Sequence, residues 1–266
     1  MKFSLAAIGT TAIALASFGA SAATVQITVT VENLTPENSV AFAPLRVGFH
    51  NGTFDAFNIG EVAGDAIISV AEGGSGDAWF PAFEAADPTA TLGSVVPDPA
   101  GPLVPGATAV ATFTVDTDVN QYFTFASMVV PSNDFFIGND SPTQYQLFDG
   151  SGNLLLSEIL VGAADIWDAG SEIFDPSAAA FVVGGDNDAR TPQNSVVAFN
   201  FAELAAFNGL ETGAGYIFDS QLTASSDVYL ISFEVAAVPV PAALPLMGGA
   251  LGLLGFSVRR RRTSAA

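Results

Sequence analysis

Short runs of alternating apolar and polar residues, turn residues between them and very little helical periodicity point to an all-β chain folded as an antiparallel β-sandwich. TVQITVTVENL, Thr24 to Leu34, comes first: Val25, Ile27, Val29 and Val31 alternate with mostly polar residues and define a half-buried strand. In ATFTVDT, Ala111, Phe113 and Val115 share one face and Thr112 and Thr114 the other. Similar runs predict strands over Gln121 to Val130, Gln144 to Phe148, Val196 to Phe201 and Asp227 to Val235. Asp149-Gly150-Ser151-Gly152-Asn153 reads as a hairpin connection, and DPAGPLVPG, Asp98 to Gly106, as a loop inside the domain. One short helix is expected over Val62 to Glu72, with Val62, Ala66 and Val70 on one face and Gly73 to end it. Strands without regular β-α alternation argue against a doubly wound sheet and for a single domain over 23–235.

Charge narrows the function. Arg46 and Arg190 are the only cations between the termini, against 27 acidic residues in the whole chain. Such a body repels phosphate backbones, so no nucleic-acid partner is expected. Its self-repulsion is relieved by cations among the carboxylates or by a salty medium, and either points to an exterior, not a cytosol. There is no Cys, which removes disulfides, thiolate metal sites and thiol nucleophiles together.

Both ends read as addresses. MKFSLAAIGTTAIALASFGASA combines Lys2, an apolar stretch and the small-residue ending Ala20-Ser21-Ala22, the pattern of a secretory signal peptide over 1–22. At the other end, in 236–266, Ala242 to Val258 are seventeen residues without a charge. As a helix they would span roughly 26 Å at about 1.5 Å per residue, enough for a thin bilayer. Arg259 to Arg262 follow and place that side in the cytoplasm. Val238-Pro239-Val240-Pro241-Ala242, the apolar helix and the Arg cluster, in that order, resemble the VPxPA variant of the PEP-CTERM class of bacterial sorting signals. That resemblance implies an exosortase-type processing protease as partner, a Gram-negative producer, and a surface-held or released product. A permanent single-pass anchor is the plainer reading of the same residues.

Most catalytic schemes fail on inventory. His50 is the only histidine and sits at a strand end before an Asn-Gly turn, a structural or surface position. Carboxylates are plentiful, but Trp79 and Trp167 do not suggest an aromatic-rich sugar cleft. Two acidic segments stand out. PSNDFFIGND, Pro131 to Asp140, carries Asp134, Asn139 and Asp140 around Phe135 and Phe136; DIWDAGSEIFD, Asp165 to Asp175, carries Asp168 and Glu172 around Ala169-Gly170-Ser171. Calcium takes six to eight oxygen ligands, which loops between strands can supply, and Gly170 would let acids four residues apart converge. Composition alone leaves metal binding and simple solvation both open; for GGDNDAR, Gly184 to Arg190, a solvated loop is the better reading.

The order SMVVPSNDFFIG and then WDAGSE resembles the spondin N-terminal domain family. Ser127, Met128, Pro131, Ser132, Asp134, Phe135 and Gly138 match its first motif. Trp167, Asp168, Ala169, Gly170 and Glu172 match its second, with Ser171 in place of Thr. The resemblance implies a β-sandwich similar to calcium-dependent phospholipid-binding domains, with calcium carboxylates at Asp134, Asp168 and Glu172. It also implies a non-enzymatic part in adhesion or matrix recognition at the cell surface. Two other functions compete with it: a carbohydrate-binding module with Phe135 and Phe136 exposed at a loop tip, and a carboxylate-based hydrolase.

Overall fold

The computed structural model describes residues 24–237. The expected signal peptide, the apolar stretch 242–258 and the Arg cluster lie outside the described residues. Among the described residues no helix is long and apolar enough to cross a membrane.

Two antiparallel sheets face each other. The first has the order β5 (Thr108–Asp116), β1 (Thr24–Asn33), β10 (Asp227–Ala237), β8 (Glu158–Gly162). The second runs β4 (Thr91–Val95), β3 (Leu45–His50), β6 (Tyr122–Val130), β7 (Phe135–Gly138), β9 (Trp167–Asp168), with the two-residue β2 (Ala41–Phe42) also on β6. Period-2 alternation carries the inner face of the first sheet: Ile27, Val29 and Val31 are buried, and they pair with Val235, Phe233 and Ile231 of β10. On its other side β1 pairs with β5, setting Ile27 opposite Phe113 and Val29 opposite Ala111. The main core fills the space between the sheets, where Phe49 and Phe123 lie 5.2 Å apart and Phe123 meets Phe233 edge-on at 5.0 Å. Each such ring contributes about 1.5–3 kcal/mol by leaving water.

β6 is buried on both faces, which an outermost sandwich strand would not be. Phe123, Phe125 and Val129 enter the core between the sheets, while Ala126 turns the other way into a second core beneath two helices. The sequence pattern anticipates one helix over 62–72; the chain has α1 (Asp65–Gly73) and α2 (Trp79–Ala86). α1 begins after Val62, which is exposed and bridges to Val196, and it buries Ile67, Val70 and Ala71. Its end falls at Gly74, not Gly73: Gly74 takes φ 58°, and the Ser75 N–H donates to the Ser69 carbonyl at 3.0 Å. WFPAFEAA hides α2 because its aromatics suggest a strand and its proline a break. Pro81 is the third residue of the helix, where no backbone N–H has an intrahelical partner to lose. Phe83 of α2 lies directly on β3, where a Cβ at Gly48 would meet its ring at 2.4 Å.

Two expected strands are not strands. Gln144 to Phe148 and Val196 to Phe201 make isolated bridges, Tyr122 to Gln146, Phe148 to Leu154, Val62 to Val196 and Asp168 to Ala198. Phe201–Phe207 continues as a 3-10 helix. Leu147, Phe148 and Val197 are buried by packing against the sandwich and not by a continuous ladder, while Val196 and Phe199 stay exposed. The turn at 149–153 forms as expected, with the Asp149 carboxylate accepting from the Ser151 and Asn153 N–H groups at 2.8 and 2.9 Å.

Candidate metal centre

Asp134 immediately precedes β7 and Asp168 ends β9, and the two strands pair with Phe135 opposite Asp168 and Phe136 opposite Trp167. Alternation sends Phe135 into the core between the sheets and Phe136 into the core beneath the helices, 2% and 0% exposed. Neither ring is at a loop tip, so the exposed-aromatic version of a carbohydrate-binding module is excluded. The rings pin the backbone that presents Asp134 instead. Asn133 adds a clamp: its Nδ2 donates to the Asp175 carbonyl and its Oδ1 accepts from the Asp175 N–H, both at 3.1 Å.

The second segment turns on Gly170. Its φ is +66°, and a Cβ there would come within 2.8 to 2.9 Å of Ser195, so a side chain is excluded by conformation and by space. Asp168 accepts the Gly170 N–H at 2.7 Å. The turn then delivers three donors to a single oxygen of Asp134: the Ser171 N–H at 2.8 Å, the Ser171 hydroxyl at 3.1 Å and the Glu172 N–H at 3.0 Å. Asp134 thereby ties the two motifs together across 37 residues of sequence.

Burial and the charge of Asp168 outweigh those hydrogen bonds and push the Asp134 carboxyl up to about 6. Asp168 is raised by burial and by Glu203, against hydrogen bonds from Gly170 and Asn200. Glu203 is raised in turn by burial and by Asp134. Glu172 is pushed up to about 7 by burial and Glu72, with Arg190 opposing and Asp134 adding to the rise. Its side chain is wholly enclosed, yet neither carboxylate oxygen receives a hydrogen bond. The nearest cation is Arg190, whose Nε lies 3.6 Å from Oε1 while its other arm pairs with Glu72 at 2.5 Å.

The three acids read from the motifs therefore share one electrostatic field, with Asp168 acting on Asp134 and Asp134 on Glu172. They do not share one coordination sphere: among the described residues no three Asp, Glu, His or Cys side chains converge as a metal-holding group. An all-oxygen donor set and a buried carboxylate without donors nonetheless fit a hard divalent cation. Glu72, Arg190 and Glu203 belong to this field and carry no local sequence signal, since each comes from a different segment. In GGDNDAR, Asp186 and Asp188 are exposed as a solvated loop requires, but Arg190 turns inward.

Asn139 and Asp140 separate from Asp134 because β7 intervenes. Buried Asn139 accepts the Phe125 N–H at 3.0 Å and donates to Thr124 and Ser141, and Asp140 accepts the Ile59 N–H at 2.8 Å. His50 is structural: fully buried, its Nε2 lies 3.0 Å from the Thr124 hydroxyl, and its Nδ1 accepts the Gly52 N–H at 3.1 Å.

No curated protein matches the chain. The Spondin_N family matches residues 32–171, a span that runs from the end of β1 through the first motif and all of the second except Glu172. With the family covering just over half its length, the chain belongs to the spondin N-terminal domain family.

Proposed function

We propose that this is an exported, non-enzymatic calcium-binding protein of the cell surface or extracellular matrix, acting in adhesion or exopolysaccharide association. The observation that carries the metal reading is Glu172, whose two buried carboxylate oxygens lack any donor. Asp134, Asp168 and Glu172 are the acids assigned to the ion; as placed they form no single coordination sphere, so they would have to draw together around calcium, whose charge would offset their mutual repulsion. Asp134 has the additional task of holding the Gly170 turn, so its second oxygen is the one available to a metal. The signal segment and the PEP-CTERM-like tail support export and processing by an exosortase-type protease, and the acidic surface suits an exterior rich in divalent cations.

The test is calcium calorimetry on the full-length chain after chelation, beside Asp168→Asn, with thermal melts in parallel. Saturating calcium at about 100 times its Kd should add about 2.7 kcal/mol and raise Tm by about 5–10 °C, and Asp168→Asn should lose most of the gain. Melting that ignores millimolar calcium would sink the proposal.

A further inference from the structure

Trp167 and Asp168 are successive residues of β9, so their side chains leave opposite faces of the strand. Asp168 faces the acid field, whereas Trp167 lines a separate cleft of about 220 Å³ together with Tyr145, Gln144, Asp140 and Asp165. Trp167 and Tyr145 are each half-buried, packed against the two cores while lining the opening. Tyr145 is steadied by packing on the buried Phe125 ring at 6.0 Å. Around these rings stand groups that both give and accept hydrogen bonds. Gln144 Nε2 donates to the Tyr145 hydroxyl at 3.0 Å, which leaves the phenolic proton to be given to a ligand. Asp140 is oriented by the Ile59 N–H.

We propose that this cleft is a saccharide subsite that takes one pyranose ring of a neutral polysaccharide. An amphipathic aromatic ring offers its face to the apolar C–H side of a sugar, and the amide, phenol and carboxylates answer its hydroxyls. The volume lies below the roughly 300–1,000 Å³ of pockets for larger organic ligands, in keeping with one ring at a time. Two carboxylates at the rim of a body with almost no cations repel uronate and sulfate polymers. A quaternary ammonium would use the rings and the carboxylates, but it would leave the Gln144 and Tyr145 hydrogen-bonding groups without a purpose. The inference rests on the adhesion reading above and names the surface through which adhesion would act. Because β9 carries both Trp167 and Asp168, an ion held at Asp168 would also steady the cleft wall.

Trp79 is fully buried, so among the described tryptophans Trp167 is the one a ligand can reach, and its fluorescence reports on the cleft directly. The full-length chain with calcium is titrated with dextran, mannan, alginate and choline, and the same polymers are used in affinity electrophoresis. Dextran or mannan should shift Trp167 emission and retard migration. Gln144→Ala, on an exposed side chain, and Tyr145→Phe should weaken binding about threefold to tenfold at unchanged Tm, and Trp167→Phe should abolish the emission change. The proposal is overturned if neither neutral polymer binds, if alginate or choline alone does, or if Gln144→Ala and Tyr145→Phe bind as tightly as the parent. Normal calcium binding without polysaccharide binding removes the subsite alone, whereas loss of both removes the adhesion reading with it.

Discussion

Asp87 and Glu172 are buried to almost the same depth, 1% and 2% exposed, but their surroundings differ in kind. Asp87, the residue after α2, accepts the Asn51 N–H at 2.9 Å, the Thr89 N–H at 2.9 Å and the Thr89 hydroxyl at 2.6 Å. Burial alone would raise its carboxyl, but those bonds prevail and hold it below the ordinary range. Glu172 has no donor, and burial with Glu72 carries it to about 7. The first is an anion the fold has solvated for itself, tying the turn after β3 to the end of α2. The second is an anion the fold holds without solvating it, as a site that awaits a ligand would.

The contrast breaks most sharply at Asp87. Asp87→Ala leaves two part-buried N–H groups and the Thr89 hydroxyl without their partner and should cost about 2–4 kcal/mol in chemical denaturation, equally with and without calcium. Glu172→Gln should act with the opposite sign. Removing the buried charge, which receives no hydrogen bond and only a 3.6 Å contact from Arg190, should stabilise the chelated protein by about 1–2 kcal/mol at pH 7.5 and erase most of its gain on adding calcium. If both substitutions destabilise alike, the two acids do not differ in the way described.

The smallest effect is a pH profile. Asp134 and Glu172 have folded pKa values near 6 and 7, above their ordinary range, so the unfolded chain holds fewer protons between about pH 4 and 7. They therefore contribute stability at low pH that is lost as pH rises through 6 to 7. His50 runs the other way. Burial, opposed by Asp87, lowers it to about 4, so its contribution is present above about pH 6.5 and lost as pH falls toward 4. Chelated protein should thus lose Tm by a few degrees between pH 6 and 7.5, a slope that Glu172→Gln flattens and that His50→Gln, by removing the opposing contribution, steepens.

What the sequence made legible was what is local. The alternation of Ile27, Val29 and Val31 is real because one face of β1 meets the core, and the Asp134 and Gly170 segments each carry their conformation within a few residues. Gln144 to Phe148 and Val196 to Phe201 misled because runs of strand-forming residues can lie as irregular chain against a sandwich as readily as in a ladder. α2 was hidden by aromatics that serve the second core. Glu72, Arg190 and Glu203 were invisible because their relation to Glu172 and Asp134 exists only after folding. The cleft was missed for the same reason: Trp167 and Tyr145 come from segments that only the fold brings to one opening.

The pairing of β1 with β10, from Val25 opposite Ala237 to Asn33 opposite Tyr229, has a mechanical meaning. Neither strand is at a sheet edge: β5 flanks β1 and β8 flanks β10. A pull applied at residue 237 along the strand would load both ladders of β10 in shear, so that many hydrogen bonds must fail together and not one after another. A domain tethered through that strand would bear tension through its stiffest element, while the Gly170 turn, which follows β9 on the other sheet, would be spared the load.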